Sequence, residues 1–209
     1  MKVSINAKAT NKIIRLNIFF LIILFLIILS AKLFTDEKYT DEKIIHEAYG
    51  LNVIQEILPE ESPLRTNNLR KIKYIVIHET GNPSPTANAH SHSNYLLDGG
   101  DGNGTAWHYT VDENIAYHHI PDNEVAFHAG RGNKWGVGIE LCVNRGADFE
   151  KTFVNGAKLT AKLIKTYGLS TNDIKQHGDF MNKNCPENIR NSNRWNEFLL
   201  LVEQYLKEL

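Results

Sequence analysis

The sequence predicts an α/β protein: a single three-layer domain, with a mixed central β-sheet flanked by helices, preceded by an N-terminal transmembrane helix. Three observations carry this. Short β-branched and aromatic runs, "KIKYIVIHET" (71–80) and "GVGIELCV" (136–143), read as buried strands. Segments with apolar residues near a 3.6 period, above all 149–168, are interleaved with them, as in helices packed on a sheet. Ahead of both lies "IFFLIILFLIILSAKLF" (18–34), almost entirely aliphatic and aromatic.

With Ile13, Ile14 and Leu16 before it, that apolar run approaches the roughly 20 residues a bilayer span needs. Residues 1–34 carry Lys2, Lys8, Lys12, Arg15 and Lys32 and no acid. This basic flank predicts a cytoplasmic start (1–11), a span at 12–34 and the remainder on the extracytoplasmic side. A cleaved signal peptide is the alternative, with "LSA" (29–31) as a weak cleavage site, and would give a secreted protein. The length of the run favours an uncleaved, single-pass anchor in the cell membrane.

The polar stretch "TDEKYTDEK" (35–43) reads as a tether. "IIHEAYGLNVIQEIL" (44–58) has apolar residues at mixed helical spacing, broken by Gly50, and is expected to pack onto the domain; "PEESPLRTNN" (59–68) reads as a loop. Residues 35–69 thus form a tether and packing segment, and the domain proper spans 70–209. Its first strand ends at His78, and Thr86 is a candidate N-cap for a helix reaching about Leu97. "DGGDGNG" (98–104) is a glycine-rich turn without the strand-then-helix setting of a phosphate loop. "TAWHYTVDEN" and "IAYHHIP" read as two strands around a turn at Asp112–Asn114. The helix at 149–168 is closed by Gly168, and a last helix runs from about Ser192 with Trp195, Leu199, Val202 and Leu206 on one face.

Formal net charge is −1, but the first 34 residues contribute +5 and leave the rest at −6. An acidic soluble part is a poor electrostatic partner for nucleic acid, which excludes that class. Only Cys142 and Cys185 are present; in an exported protein one disulfide between them is the simplest expectation.

Most of the nine histidines need no special role. His90 and His92 fall on a predicted helix, where i and i+2 point apart. His118 and His119 are adjacent in a strand and face opposite sides. His78 differs, because it stands where a buried strand opens to solvent, the usual ligand end of an α/β sheet. His177 opens the polar loop "HGDFMNKNCP", which also carries Lys183 and Cys185. Zinc takes imidazole and thiolate readily, and a catalytic site uses three protein ligands with water in the fourth position. Two ligands from this loop and one from a strand end suit that arrangement.

Together, "YIVIHET", "TAWHYTVDEN", "HHIPDNEVAFHAG", "GVGIELCVN" and "HGDFMNKNCP", in this order over about residues 70–190, resemble the zinc-dependent N-acetylmuramoyl-L-alanine amidases. This group includes phage lysozyme-type amidases and the peptidoglycan recognition proteins. The resemblance implies His78, His177 and Cys185 as ligands of one Zn2+. It implies Glu140 as the residue that activates water and Lys183 as the cation that steadies the oxyanion. His128, in "FHAG", matches a position lining the substrate groove. Trp107 stands where other branches carry a Tyr beside the zinc, and Gly136 where a Ser is common. Indole cannot exchange a proton as a phenol can, which leaves more of the work to Glu140.

The chemistry agrees with these types. Zinc lowers the pKa of bound water to about 7 and polarises a carbonyl. A carboxylate within reach can take the water's proton and return it to the leaving amine. Ile139, Leu141 and Val143 would share one strand face, leaving Glu140 on the other. Cys142 reads as a small buried residue, and a Cys142–Cys185 disulfide would consume the third ligand. The implied activity is hydrolysis of the amide between N-acetylmuramic acid and the L-Ala of the stem peptide, by a monomer acting on peptidoglycan. Three rivals stand beside it: a muropeptide-binding module without catalysis, a zinc peptidase acting within the stem peptide, and a cysteine hydrolase using Cys185 with His177.

Overall fold

A computed structural model describes residues 46–208. The expected anchor at 12–34, the start at 1–11 and residues 35–45 of the tether lie outside them. Among the described residues no helix is long and apolar enough to cross a membrane.

Among the described residues seven strands form one mixed sheet. They are β1 (His46–Ala48), β2 (Leu51–Gln55), β3 (Tyr74–Glu79), β4 (Tyr109–Val111), β5 (Ala116–His118), β6 (Gly136–Leu141) and β7 (Ile174–Gln176). Their order is β1-β2-β5-β4-β6-β3-β7. At the centre, β3 runs parallel to both β6 and β7, and β4 runs parallel to β6. A parallel strand covered on both faces needs apolar residues at nearly every position, which is why "YIVI" and "GVGI" were legible as strands.

Helices α1 (Ala89–Leu97), α2 (Phe149–Tyr167), α3 (Glu187–Asn191) and α4 (Trp195–Lys207) complete the domain. The period-2 alternation of β3 and β6 sorts the faces. Ile75, Ile77, Val137, Ile139 and Leu141 pack with Phe153, Ala157, Ala161, Ile164, Phe198 and Val202 of α2 and α4. His78 and Glu140 belong to the other set, toward the α1 side, where Ala89 packs with Tyr117 and Cys142. Three layers result, as the sequence predicts.

The ends of the helices follow local chemistry. Asp148 caps α2 by accepting the Lys151 N–H, and Gly168 closes it in the left-handed region at φ 62°. The cap of α1 is Asn88, which accepts the Ser91 N–H at 2.9 Å; Thr86, two residues earlier, instead accepts the Ser91 hydroxyl through its carbonyl. The last helix starts at Trp195, because Asn193 adopts φ 56° and separates it from α3.

The segment 44–58 departs from its helical reading. Residues 46–55 form the β1–β2 hairpin, turned by Tyr49 and Gly50 at φ 54° and 79°. Two consecutive positive φ values are the mirror-image turn that matches strand twist. β2 then pairs in parallel with β5, burying Leu51 and Val53, so the folded domain takes in this hairpin as well as the residues from 70 on. The loop 59–68 is also bound in: Arg65 donates from Nε and Nη2 to the Glu124 carboxylate at 2.6–2.9 Å.

Candidate active site

Parallel pairing brings the site together. In the sheet register Thr110 lies opposite Glu140, and Glu140 opposite His78. One position short of that row, Gln176 of β7 pairs with Ile77, so His177 leaves β7 level with His78. A one-turn 3-10 segment, His177–Asp179, starts the loop that returns to Cys185.

His78, His177 and Cys185 are buried, and their ligand atoms all lie within 4.8 Å of one another. The Nδ1 atoms of the two histidines stand 2.9 Å apart across 99 residues of chain. Tetrahedral zinc with Zn–N bonds of 2.0–2.1 Å would set this separation at about 3.3 Å. Glu140 Oε1 is 3.7 Å from His78 Nδ1, and Glu140 Oε2 is buried without a partner. Two imidazoles and a thiol converge with a carboxylate beside them, a donor set that suits zinc. Both cysteines are free, so the disulfide expectation fails: Cys142 lies beside His92, its Sγ 3.9 Å from Nδ1.

The electrostatics also suit a cation. Burial first, then the neighbouring His128, His177 and Lys183, holds His78 well below the ordinary histidine range. Burial and Lys183 push His177 down to about 4, so both rings are neutral and have lone pairs to offer. Burial, opposed by Lys183 and reinforced by Glu79, raises the Glu140 carboxyl to about 8. The Cys185 thiol is pushed up to about 12 by burial and by Glu140. Nucleophilic cysteines need a lowered pKa and exposure. Cys185 has neither, which counts against the cysteine hydrolase, whereas a bound cation would favour its thiolate.

The other expected residues take distinct places. Lys183 is exposed at a cleft of about 350 Å3 whose lining includes Glu79, Thr80, Gly81, Cys185 and Asn188. Trp107 lines a neighbouring cleft of about 380 Å3 with Thr80, Asn82, Ser91, His92 and Tyr95, and donates its indole N–H to Thr110 Oγ1 at 2.6 Å. Thr80 belongs to both clefts, which places them side by side at the end of β3.

His128 is in the lining of neither of these two clefts. It is 7% exposed, with Nδ1 2.9 Å from His78 Nε2 and Nε2 3.1 Å from the Gly136 carbonyl. Its ring packs edge-on against that of His78, with centroids 5.0 Å apart. Glu79 is a residue that the sequence reading passed over. Its two carboxylate oxygens accept the Asn188 and Ile189 N–H groups at 2.8 and 3.0 Å, tying the end of β3 to the turn that follows Cys185. No spacing signal marks it, since its partners are 109 and 110 residues away.

Comparison with known proteins agrees with this geometry. Residues 68–188 match the family described as N-acetylmuramoyl-L-alanine amidase. N-acetylmuramoyl-L-alanine amidase CwlH of Bacillus subtilis (strain 168) is 30% identical over 154 residues, covering 71% of this chain and 60% of that protein. N-acetylmuramoyl-L-alanine amidase XlyA of the same organism is 33% identical over 152 residues, covering 71% of this chain and 50% of that protein. The solved catalytic domain of XlyA superposes with a TM-score of 0.68 at 32% identity, covering 73% of this chain and 99% of that domain. The chain therefore spans only half to three-fifths of these two full-length relatives while matching one catalytic domain almost completely. By this match, on a site assembled from three separate segments, the chain belongs to the N-acetylmuramoyl-L-alanine amidase family.

Proposed function

We propose that the chain is a zinc-dependent peptidoglycan amidase, which hydrolyses the amide between N-acetylmuramic acid and the L-alanine of the stem peptide. The observation that carries this is the convergence of His78 Nδ1, His177 Nδ1 and Cys185 Sγ beside Glu140 Oε1. In this reading His78, His177 and Cys185 hold the ion. Bound there, zinc supplies Lewis acidity, lowering the pKa of water to about 7 and polarising a carbonyl.

The protein supplies the rest. Glu140 takes the proton of the attacking water and delivers it to the leaving amine of L-alanine. Its Oε2, free of any hydrogen bond, leaves the carboxylate able to serve both steps. Lys183, at the rim of the Cys185 cleft, places a cation where negative charge develops on the carbonyl oxygen. Trp107 and the residues of its cleft give the substrate an aromatic wall. The complete ligand set favours catalysis over a binding module.

The apolar run ahead of the domain supports a single-pass anchor at 12–34, which would confine a monomeric enzyme to the inner side of the wall. Membrane fractionation and protease accessibility of the full chain in cells test it. Recovery in the soluble fraction would remove the anchor.

The activity is tested by incubating the full chain with purified peptidoglycan, with and without a strong chelator, and counting newly freed L-alanine amino groups. Release should stop on chelation and return with zinc. No release from folded, zinc-loaded protein would leave only the binding-module reading, and freed amino groups from other residues would point to a peptidase.

A further inference from the structure

His128 and the two glycines of "GVG" at 136–138 are unused by the proposed chemistry, yet they form a built arrangement behind His78. The hydrogen-bond chain can be read from its far end. The Gly136 carbonyl can only accept, so His128 Nε2, 3.1 Å away, carries a hydrogen. A neutral imidazole has one N–H, so His128 Nδ1 is an acceptor. His78 Nε2 lies 2.9 Å from that Nδ1 and must donate to it. The other nitrogen of His78, Nδ1, is then a bare lone pair facing His177 Nδ1 and Glu140 Oε1.

We infer that His128 is a positioning residue that locks His78 in its Nε2–H tautomer and keeps the Nδ1 lone pair on the metal position. This rests on the reading of the site as a zinc centre. Metal-bound histidines commonly hold their second nitrogen against a carboxylate or carbonyl. Here a second histidine stands in that place and passes the bond on to a strand carbonyl.

The seat of His128 is made by omission. A Cβ on Gly138 would lie 2.7 Å from His128 Nδ1 and 2.8 Å from its Cγ, closer than such atoms approach. Glycine inside a strand costs stability, and close approach of another group is the usual reason for it. The Asn133 side chain fixes the backbone beneath the ring, its Oδ1 accepting the His128 N–H at 2.9 Å. His108, with its ring centroid 5.6 Å away, packs edge-on against the other side. Among the described residues no carboxylate forms an ion pair with His128.

The test reads the tautomer directly. The full chain is labelled with 15N-histidine, stripped of metal, and the ring nitrogens of His78 are assigned from long-range proton–nitrogen correlations. The wild type should show a protonated Nε2 and an unprotonated Nδ1. His128→Asn, whose Oδ1 replaces the Nδ1 acceptor, should retain this pattern. His128→Leu and Gly138→Ala, the second of which touches no ligand, should lose the fixed pattern. Their zinc affinity, by competition with a chelating indicator dye, should weaken 10- to 100-fold. A wild-type His78 protonated on Nδ1 would overturn the inference with no variant needed. So would His128→Leu retaining both tautomer and affinity. Neither readout involves peptidoglycan, so failure of the amidase assay alone leaves this inference standing. A wild type that binds no zinc removes the metal centre itself.

Discussion

Glu79 and Ile189 meet across 110 residues of chain, one carboxylate oxygen of Glu79 accepting the Ile189 N–H at 3.0 Å while the other takes that of Asn188 at 2.8 Å. Glu79 directly follows His78, and the two amides lie just beyond Cys185. The contact thus holds two proposed ligands in one frame without touching the ion. Burial raises the Glu79 carboxyl, and the two amides pull it back.

Glu79→Gln keeps one acceptor oxygen and turns an NH2 toward the second amide. Charge-assisted bonds to backbone amides contribute about 1.5–3 kcal/mol. The variant should lose about 2 kcal/mol, or about 4–8 °C in Tm for a domain of this size. Calorimetry of the chelated protein measures this directly, and an unchanged Tm would show that the contact holds nothing.

Glu140→Gln removes the proton carrier and preserves the shape. Loss of a general base or acid costs about 10²–10⁴-fold in rate. We expect kcat for alanine release to fall at least about 100-fold, with zinc content unchanged by metal analysis. Near wild-type turnover would take the proton-transfer role from Glu140.

Stability should fall with acid, partly through a residue remote from the ligands. His119 is buried between Thr110 and Ser93, 2.9 Å from the Thr110 hydroxyl, with Glu56 reached through Ser93. Burial first, then His118 and His92, lowers it to about 3. An unfolded chain protonates this histidine near pH 6.5, whereas the folded one resists down to about 3. Its contribution is therefore complete above pH 6.5 and is lost as pH falls, at about 1.4 kcal/mol per pH unit. Urea unfolding at pH 7, 6 and 5 should show a shallower decline for His119→Asn than for wild type. Parallel profiles would refute this.

Deleting residues up to 69 should abolish folding. It removes Leu51, Val53, Leu58 and Leu64, all nearly inaccessible, and leaves the Glu124 carboxylate without Arg65. Four such side chains represent about 6–12 kcal/mol, comparable with the whole stability of a domain. A chain lacking only residues 1–43 should unfold cooperatively. Circular dichroism melts of the two separate the cases, and cooperative melting of the shorter one would restore a boundary at 70.

The central strands and the candidate ligands could be read in the sequence for a physical reason. Strands buried on both faces must be apolar throughout, and ligands at their ends stand out as polar residues in an apolar run, as His78 does after "YIVI". The β1–β2 hairpin could not be read so easily, because its strands have three and five residues and its turn places Tyr49, not Asn or Asp, at positive φ. The contact between His128 and His78 could not be read from the motif, because position in a motif does not show which way a ring points. The glycine at 138 was the available sign: a strand residue without a side chain implies that something else fills the space.

Among the described residues both outermost strands of the sheet are three residues long, His46–Ala48 on one side and Ile174–Gln176 on the other. Each therefore exposes few free amides and carbonyls to a passing chain. Long, flat edges recruit further strands and seed aggregates, and very short ones are a recognised safeguard. Copies of this domain crowded together should resist polymerising through β-pairing, leaving the short outer strands as a guard on solubility that is separate from the chemistry at the sheet's centre.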